Sequence, residues 1–429
     1  MKIGIITLGC KVNTYESNAI ALALEKKGYE IVEANADCDA FIINTCSVTN
    51  MADAKSKKMI HRAIKLNPNA LVAVVGCLPQ SNKDEVAKID GVDIILGNGN
   101  KEKLIDLIDE NIGKKRTDKY IDVIDILHYN KYDNLEVNEF DHTRAFVKIE
   151  DGCNNFCTFC IIPFARGPIR CKDVDTIINE IKNIVDNGYK EIVLTGIHTG
   201  KYFDNGYNLT KLIKKILNDV PNLKRLRLSS IEINEIDDEF IGLLKENKVL
   251  ANHLHLPLQA GSDHVLSLMN RRYDKKYFLE RINKIKEASP DISLTTDIIV
   301  GFPEETDEDF KQTIEISKEI GFSKIHVFPY SKRNGTKAAL MKQVNDKVKK
   351  DRSKELIELS NKLEKNYYSK FIGLKLDVIF EQRYNDYLIG HTSNFLQVII
   401  DYDEKYLKEM KEVKLEAYLD NKLYGKVID

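Results

Sequence analysis

A chain of 429 residues, 43% hydrophobic and 30% charged, is expected to fold as a globular protein of two or three domains. No apolar run approaches the roughly 20 residues of a membrane helix, and the stretch from Met1 to Cys10 is too short, and broken at Gly4, for a lipoprotein signal, so a cytoplasmic protein without membrane attachment is expected. The net charge of −2 gives no global attraction to nucleic acid, and eight cysteines in a reducing compartment point to metal binding or chemistry and away from disulfides.

Strand and helix alternate through the first 112 residues. Apolar runs predict strands at 2–8, 40–43, 70–75 and 92–96. Helical periodicity predicts helices at 15–27, stopped by Gly28, at about 52–65, at 81–89 and at 101–112. This alternation implies a doubly wound parallel sheet, assigned to a domain at 1–113. Residues 114–143, rich in Lys, Asp, Asn and Tyr, read as a linker with room for one edge strand. Alternation then resumes, with strands predicted at 145–149, 191–194, 225–228, 253–256, 293–299 and 324–328. Some six β/α units suggest a partial version of the closed eightfold TIM barrel, assigned to 144–366. Residues 331–370 hold 12 Lys/Arg against 5 Asp/Glu and are predicted helical from Asp346. Short strands at 376–380, 387–390 and 396–400 then indicate a small β-barrel at 367–429.

Two sets of cysteines carry the chemistry. Cys153, Cys157 and Cys160 form CxxxCxxC directly after the strand at 145–149, on the face where barrel folds bind ligands. Soft thiolates in a tight loop suit an iron–sulfur cluster, and three of them on a four-iron cluster leave one iron open for a reactant. The competing reading is a zinc site completed by a histidine, although zinc ligands usually come in CxxC pairs. Cys10, Cys46 and Cys77 are distant in sequence, yet each follows a predicted strand. The carboxyl ends of parallel strands share one edge, so the topology gathers these three thiols at the usual ligand crevice. Any one alone would read as an ordinary buried cysteine. Cys38, before a strand, and Cys171, leading into a helix, belong to neither set.

These residues resemble the methylthiotransferase family of radical S-adenosylmethionine (SAM) enzymes, over nearly the whole chain. The matching stretches are Gly9-Cys10-Lys11-Val12-Asn13, Asn44-Thr45-Cys46, Val75-Gly76-Cys77, the CxxxCxxC loop and Ile162-Pro163-Phe164-Ala165-Arg166-Gly167. Others are Leu256-Pro257-Leu258-Gln259-Ala260-Gly261-Ser262-Asp263, Asp297-Ile298-Ile299-Val300-Gly301-Phe302-Pro303 and Tyr330-Ser331-Lys332-Arg333. Gly390-His391-Thr392-Ser393-Asn394-Phe395 resembles the family's C-terminal TRAM domain. The stretch Gly167 to Cys171 departs from a pattern usually rich in Arg and Ser.

The resemblance implies two [4Fe-4S] clusters and SAM. The Cys153/Cys157/Cys160 cluster would bind SAM and cleave it to a deoxyadenosyl radical, which removes hydrogen from C2 of an adenine. The Cys10/Cys46/Cys77 cluster would hold the sulfur, which one SAM methylates while a second supplies the radical. Gly-Cys-Lys-Val-Asn followed by Tyr15-Glu16-Ser17 looks like the branch acting on N6-threonylcarbamoyladenosine beside the tRNA anticodon, at position 37. Other branches act on isopentenyl-adenosine or on a ribosomal-protein aspartate, and a zinc-bound RNA-binding module without catalysis is the reading from another class. Phe159, Gly196, Gln259 and Asp297 are the candidate SAM contacts, and His198 reads as a structural loop histidine. The expected partners are tRNA and an electron donor such as flavodoxin or ferredoxin, and the expected state is a monomer. Residues 368–429 carry 9 Lys/Arg against 11 Asp/Glu, so phosphate contact is better sought at 332–370 and at Lys55, Lys57, Lys58 and Arg62.

Overall fold

The computed structural model describes residues 1–114, 118–135, 137, 140 and 143–428. Its first sheet has six parallel strands in the order β2-β1-β3-β4-β5-β6. They are β1 (Lys2–Thr7), β2 (Glu30–Val32), β3 (Ala40–Thr45), β4 (Leu71–Gly76), β5 (Ile94–Leu96) and β6 (Tyr120–Asp122). β3 and β4 are buried along their whole length, as central strands covered on both faces must be. Ile42, Ala73 and Ile94 pack one way, with Leu104 and Ile108. Phe41, Ile43, Val74 and Ile95 pack the other way, with Ile60 and Leu78. The covering helices are α1 (Lys11–Lys26), α2 (Asn50–Leu66), α3 (Cys77–Ala87) and α4 (Lys103–Asn111).

Three details differ from expectation. α1 starts at Lys11, not residue 15, and α3 at Cys77, not residue 81. Both first turns follow directly from a strand end and carry little apolar periodicity. Pro79 looks like a break but lies in the first turn, where its missing N–H costs no helical bond. β2 is three residues long, too short for periodicity to reveal. β6, from the stretch after residue 114, adds an edge strand to the first sheet.

The second unit has strands β7 (Arg144–Lys148), β8 (Glu191–Thr195), β9 (Arg225–Leu228), β10 (His253–His255), β11 (Ser293–Val300) and β12 (Lys324–Pro329). They form two parallel three-stranded sheets, β9-β8-β7 and β10-β11-β12. Leu226 joins them by backbone bonds with Val249 and Ala251, so six strands run on as an open partial barrel. Outer helices lie at Val174–Asp186, Leu209–Asp219, Asp238–Glu246, Lys275–Ala288 and Asp307–Ile320. The last opens with a capping box between Thr306 and Asp309 and ends at Gly321 in the left-handed region.

A 24-residue helix, Asp346–Ser369, lies against β12 and leads into a closed barrel. That barrel is β13 (Lys375–Tyr384), β14 (Tyr387–Thr392), β15 (Gln397–Asp401), β16 (Met410–Leu419) and β17 (Lys422–Val427), in the order β13-β14-β15-β17-β16. β16 and β17 exceed the three strands expected. Their outer faces are charged, and few of their residues, such as Val413, Leu415 and Leu423, face the core.

A buried charge cluster docks the small barrel on the large one. Glu191 accepts bonds from Arg227 Nε at 2.6 Å and Arg225 Nη1 at 3.1 Å. The same guanidinium groups donate to the carbonyls of Asp377, His391, Thr392 and Ser393 at 3.0–3.2 Å. Arg144 pairs with Glu381 at 3.2 Å. No helix among the described residues is long and apolar enough to cross a membrane.

Candidate active site

Backbone geometry at the carboxyl ends of β1, β3 and β4 brings Cys10, Cys46 and Cys77 together. Gly9 has φ +103°, and a Cβ there would lie 2.7 Å from Cys46 Cβ. Gly76, with φ +100°, would meet Asn44 Oδ1 at 2.8 Å. Only glycine lets these turns close so tightly. Asn13 clamps the edge, donating to the carbonyls of Leu8 and Thr45 at 2.6 and 2.9 Å. Cys10 occupies the N-cap of α1, where its thiol makes no capping bond and faces Asn13 Oδ1, and Cys77 opens α3. A helix N-terminus favours thiolate.

The second set sits in the loop after β7. Thr158 holds this loop to the short helix Asp263–Leu268 and its C-cap, through bonds to Leu268 O at 2.7 Å and Met269 O at 3.2 Å. Cys153 N donates to Gly167 O at 3.0 Å. Most of the six sulfurs have a polar neighbour. Asn98 Nδ2 donates to Cys77 Sγ at 3.3 Å, Arg271 Nη1 to Cys157 Sγ at 3.4 Å and Ile162 N to Cys160 Sγ at 3.4 Å. His198 Nδ1 is 3.6 Å from Cys153 Sγ, and Cys10 Sγ is 3.8 Å from Asn13 Oδ1. Burial pushes the Cys46 thiol up to about 11 and those of Cys153 and Cys160 to about 12. It raises Cys10 as well, against the pull of the Arg166 cation. Metal binding must therefore displace protons here.

These donor sets fit iron–sulfur clusters better than zinc. A tetrahedral zinc at about 2.3 Å from each sulfur draws thiolates to about 3.8 Å of one another. Among the described residues, the one trio of such ligand atoms lying within 4.8 Å is His255, Asp297 and His326, and neither cysteine set is that close.

Two arginines lock the edge bearing Cys10, Cys46 and Cys77 over the large barrel's mouth. Arg166, fully buried just after the CxxxCxxC loop, donates to Glu16 Oε1 at 2.7 Å and to Asn13 Oδ1. Glu16 also receives Lys101 and, at 3.0 Å, Lys148, while Asp151 receives Lys148 at 2.7 Å. The Arg166, Lys101 and Lys148 cations outweigh burial and hold the Glu16 carboxyl well below its usual range. Arg333 does the same on the other flank, donating to Asp53 at 2.7 Å and to Ser47 and Asn50 at 3.0 Å.

A cavity of about 740 Å³ opens between these parts. Gly9, Cys10 and Lys11 form one end, Thr195, Gly196, His255 and Asp297 the barrel wall, and His391, Phe395 and Gln397 the floor. Phe395 lies stacked between His391 and His253, with ring centroids 4.6 and 5.1 Å away. The TRAM-like stretch is thus turned inward, against the barrel.

Of the four candidate SAM contacts, Gly196 and Asp297 line this cavity. Phe159 packs edge-to-face on Phe302. Gln259 is held by backbone bonds to Asp297 O and from Ile299 N, each 2.9 Å. Cys38 is buried beside Glu33 O, and Cys171 accepts from Phe203 N at 3.3 Å, so both stand apart from the two sets. The basic stretch at 332–370 is only partly available. Arg333 is committed to the lock and Arg352 to Glu305 and Asp307 at 2.6 and 2.7 Å. Lys57 pairs with Glu85, leaving Lys55, Lys58 and Arg62 exposed. Sequence reading missed Lys101, Lys148, Asp151 and Arg271, and gave Glu16 no role beyond a branch motif. Nothing local marks such residues as one cluster when Glu16 meets Lys101 across 85 positions, Lys148 across 132 and Arg166 across 150.

The chain matches two family models: "Radical SAM superfamily" at residues 147–316 and "Uncharacterized protein family UPF0004" at residues 2–97. It is 43% identical to the threonylcarbamoyladenosine tRNA methylthiotransferase MtaB of Bacillus subtilis (strain 168), over 95% of this chain and 92% of the relative. It is 34% identical to the tRNA-2-methylthio-N(6)-dimethylallyladenosine synthase of Finegoldia magna, over 99% and 94%. In fold it is similar to the radical SAM methyltransferase TsrM of Kitasatospora setae, with a TM-score of 0.59 and 13% identity over 79% of this chain and 77% of that one.

Proposed function

The chain belongs to the tRNA methylthiotransferase family of radical SAM enzymes, and from that premise we propose that it converts N6-threonylcarbamoyladenosine at position 37 of tRNA to its 2-methylthio derivative. Membership makes it an enzyme that uses a [4Fe-4S] cluster and SAM and acts on tRNA. The finer reading is that it carries two clusters and consumes two SAM molecules per product. Cys153, Cys157 and Cys160 would hold one cluster, and Cys10, Cys46 and Cys77 the other. When bound, the first supplies the electron that cleaves SAM to a carbon radical and the second supplies the sulfur.

The residues of this chain do the rest. Asn98, Arg271 and the Ile162 amide place N–H groups on the thiolates and so stabilise added electron density. Arg166 and Arg333 fix the sulfur-bearing edge against the barrel, so that Cys10 opens on a cavity walled by the barrel strands, with Ile162, two residues past Cys160, in its lining. That juxtaposition is the observation carrying the proposal. Phe395, stacked between His391 and His253, gives the cavity a packed aromatic floor for a base. We also propose that residues 1–113, 144–366 and 367–429 act as sulfur-donor, radical and RNA-docking units. Identity of 37–43% to four threonylcarbamoyladenosine enzymes, with a fifth from Chlamydia pneumoniae at 32%, against 34–36% to dimethylallyladenosine ones, supports the substrate assignment.

Two measurements test this. Anaerobically purified protein is expected to contain about eight irons and eight sulfides per chain, as two four-iron clusters require. Stoichiometric zinc without sulfide would overturn it. Nucleoside mass spectrometry of tRNA from a deletion strain is expected to show threonylcarbamoyladenosine without its methylthio form. Persistence of that form, with loss of methylthio-isopentenyl-adenosine, would transfer the activity to the other substrate.

A further inference from the structure

Four cations line the shared cavity: Lys11, Arg144, Arg227 and Lys324. Three have carboxylate partners. Arg144 pairs with Glu381 at 3.2 Å, Arg227 with Glu191 at 2.6 Å and Lys324 with Glu364 at 2.6 Å. The cavity's own carboxylates are engaged as well, Glu364 by Lys324 and Asp297 by His255 at 3.3 Å. Among the described residues, Lys11 has neither an ion pair nor a side-chain hydrogen bond. The cations facing it, Arg144 and Arg227, are each already answered by a carboxylate, and Lys11 itself is exposed, so its ammonium stands available to an anion entering the cavity. Of the cysteines, it is Cys10, the neighbour of Lys11, that opens directly on this cavity.

We propose that Lys11 receives the carboxylate of the threonylcarbamoyl side chain and so selects the modified base. The assignment rests on the substrate class proposed above. Its geometry follows from the base itself. C2 and the N6 substituent flank the same ring nitrogen, so an adenine with C2 turned toward the Cys10 edge extends its side chain along the adjoining wall. A lysine one residue from Cys10 meets that side chain, and a charge-assisted ammonium–carboxylate hydrogen bond is among the stronger polar contacts. An apolar N6 substituent would leave the charge of Lys11 unanswered.

The test uses the anaerobically reconstituted full-length enzyme and two anticodon stem-loops. One carries threonylcarbamoyladenosine and the other the same nucleoside with its carboxylate blocked as the neutral methylamide. For wild type, KM for the methylamide is expected to exceed that for the acid by ~10- to 100-fold, the range of a charge-assisted hydrogen bond. In Lys11→Met this ratio is expected to fall to about one, through a rise in KM for the acid with kcat changing less, and Lys11→Arg is expected to keep the preference. Lys11→Gln serves the same purpose should Lys11→Met lose iron. A variant that keeps the wild-type ratio overturns the assignment. So does one that raises KM equally for both stem-loops, which would place a backbone phosphate at Lys11. Wild type that modifies neither threonylcarbamoyl stem-loop but accepts an isopentenyl one overturns the substrate reading itself, a result distinct from the other two.

Discussion

Single atoms beside the thiolates decide how the two cysteine sets behave. Arg271 brings a positive donor to Cys157 Sγ, and it is itself held by Glu232 and Tyr273. A donor on a ligand sulfur stabilises the reduced, more negative cluster, so its loss lowers the reduction potential. Arg271→Met is therefore expected to lower the potential of the Cys153/Cys157/Cys160 centre by on the order of 60 mV or more, the one-electron equivalent of a charged hydrogen bond. Potentiometric EPR on a variant lacking the other cluster reads this directly, and an unchanged potential would show that Arg271 is only structural. At Gly9, a methyl group would stand 2.7 Å from Cys46 Cβ on backbone at φ +103°. Gly9→Ala is expected to strain the edge by about 1–3 kcal/mol. It should purify with about four irons in place of eight, since only the barrel loop is left intact.

At the scale of elements, two buried charge clusters hold strands and loops in place. Arg166 is fully buried among Glu16, Asp151 and Asn13, and removing one partner from such a set leaves the others uncompensated. Arg166→Met is expected to destabilise the union of the first sheet with the barrel by about 3–5 kcal/mol, read by denaturant unfolding of the apoprotein. Glu191 is held down to about 2 because Arg227 and Arg225 outweigh the cost of burying it. A depressed carboxyl stabilises the fold fully above its ordinary value near 4.5, and loses that contribution as pH falls toward 2. The stability difference between wild type and Glu191→Gln should thus be constant from pH 7 to 5 and shrink from pH 4.5 to 3. A difference independent of pH would contradict the pairing. Much at this scale is legible in sequence. Alternating apolar runs give the sheet and the open barrel, and a cysteine after each of three strands gives the shared edge. The starts of α1 and α3 are not legible, because each helix begins directly from a strand end, with Cys10 as N-cap and Cys77 as first residue, and no side-chain capping bond marks it. Nor are β16 and β17, whose charged outer residues mask the inward Val413 and Leu423.

At the scale of the whole molecule, the two cysteine sets come from different sheets, and side chains unreadable as partners join them. The sequence shows Arg166 and Arg333 only as members of recognisable stretches. The structure gives each a task, since Arg166 reaches Glu16 and Asn13 while Arg333 reaches Ser47, Asn50 and Asp53. The small barrel likewise differs from a freely exposed RNA-binding module. Its His391 and Phe395 close the cavity floor, so the same unit that would meet tRNA also shapes the chamber for the base. Lys55, Lys58 and Arg62, exposed on α2, would offer footing for phosphate.

The division of labour between the cysteine sets is tested most directly by following SAM cleavage and methylthio transfer together, in anaerobic Cys157→Ala and Cys46→Ala enzymes with threonylcarbamoylated tRNA. Cys157→Ala is expected to lose both activities. Cys46→Ala is expected to go on cleaving SAM to 5′-deoxyadenosine while forming no methylthio product. Wild-type SAM cleavage in Cys157→Ala, or undiminished methylthio transfer in Cys46→Ala, would contradict it.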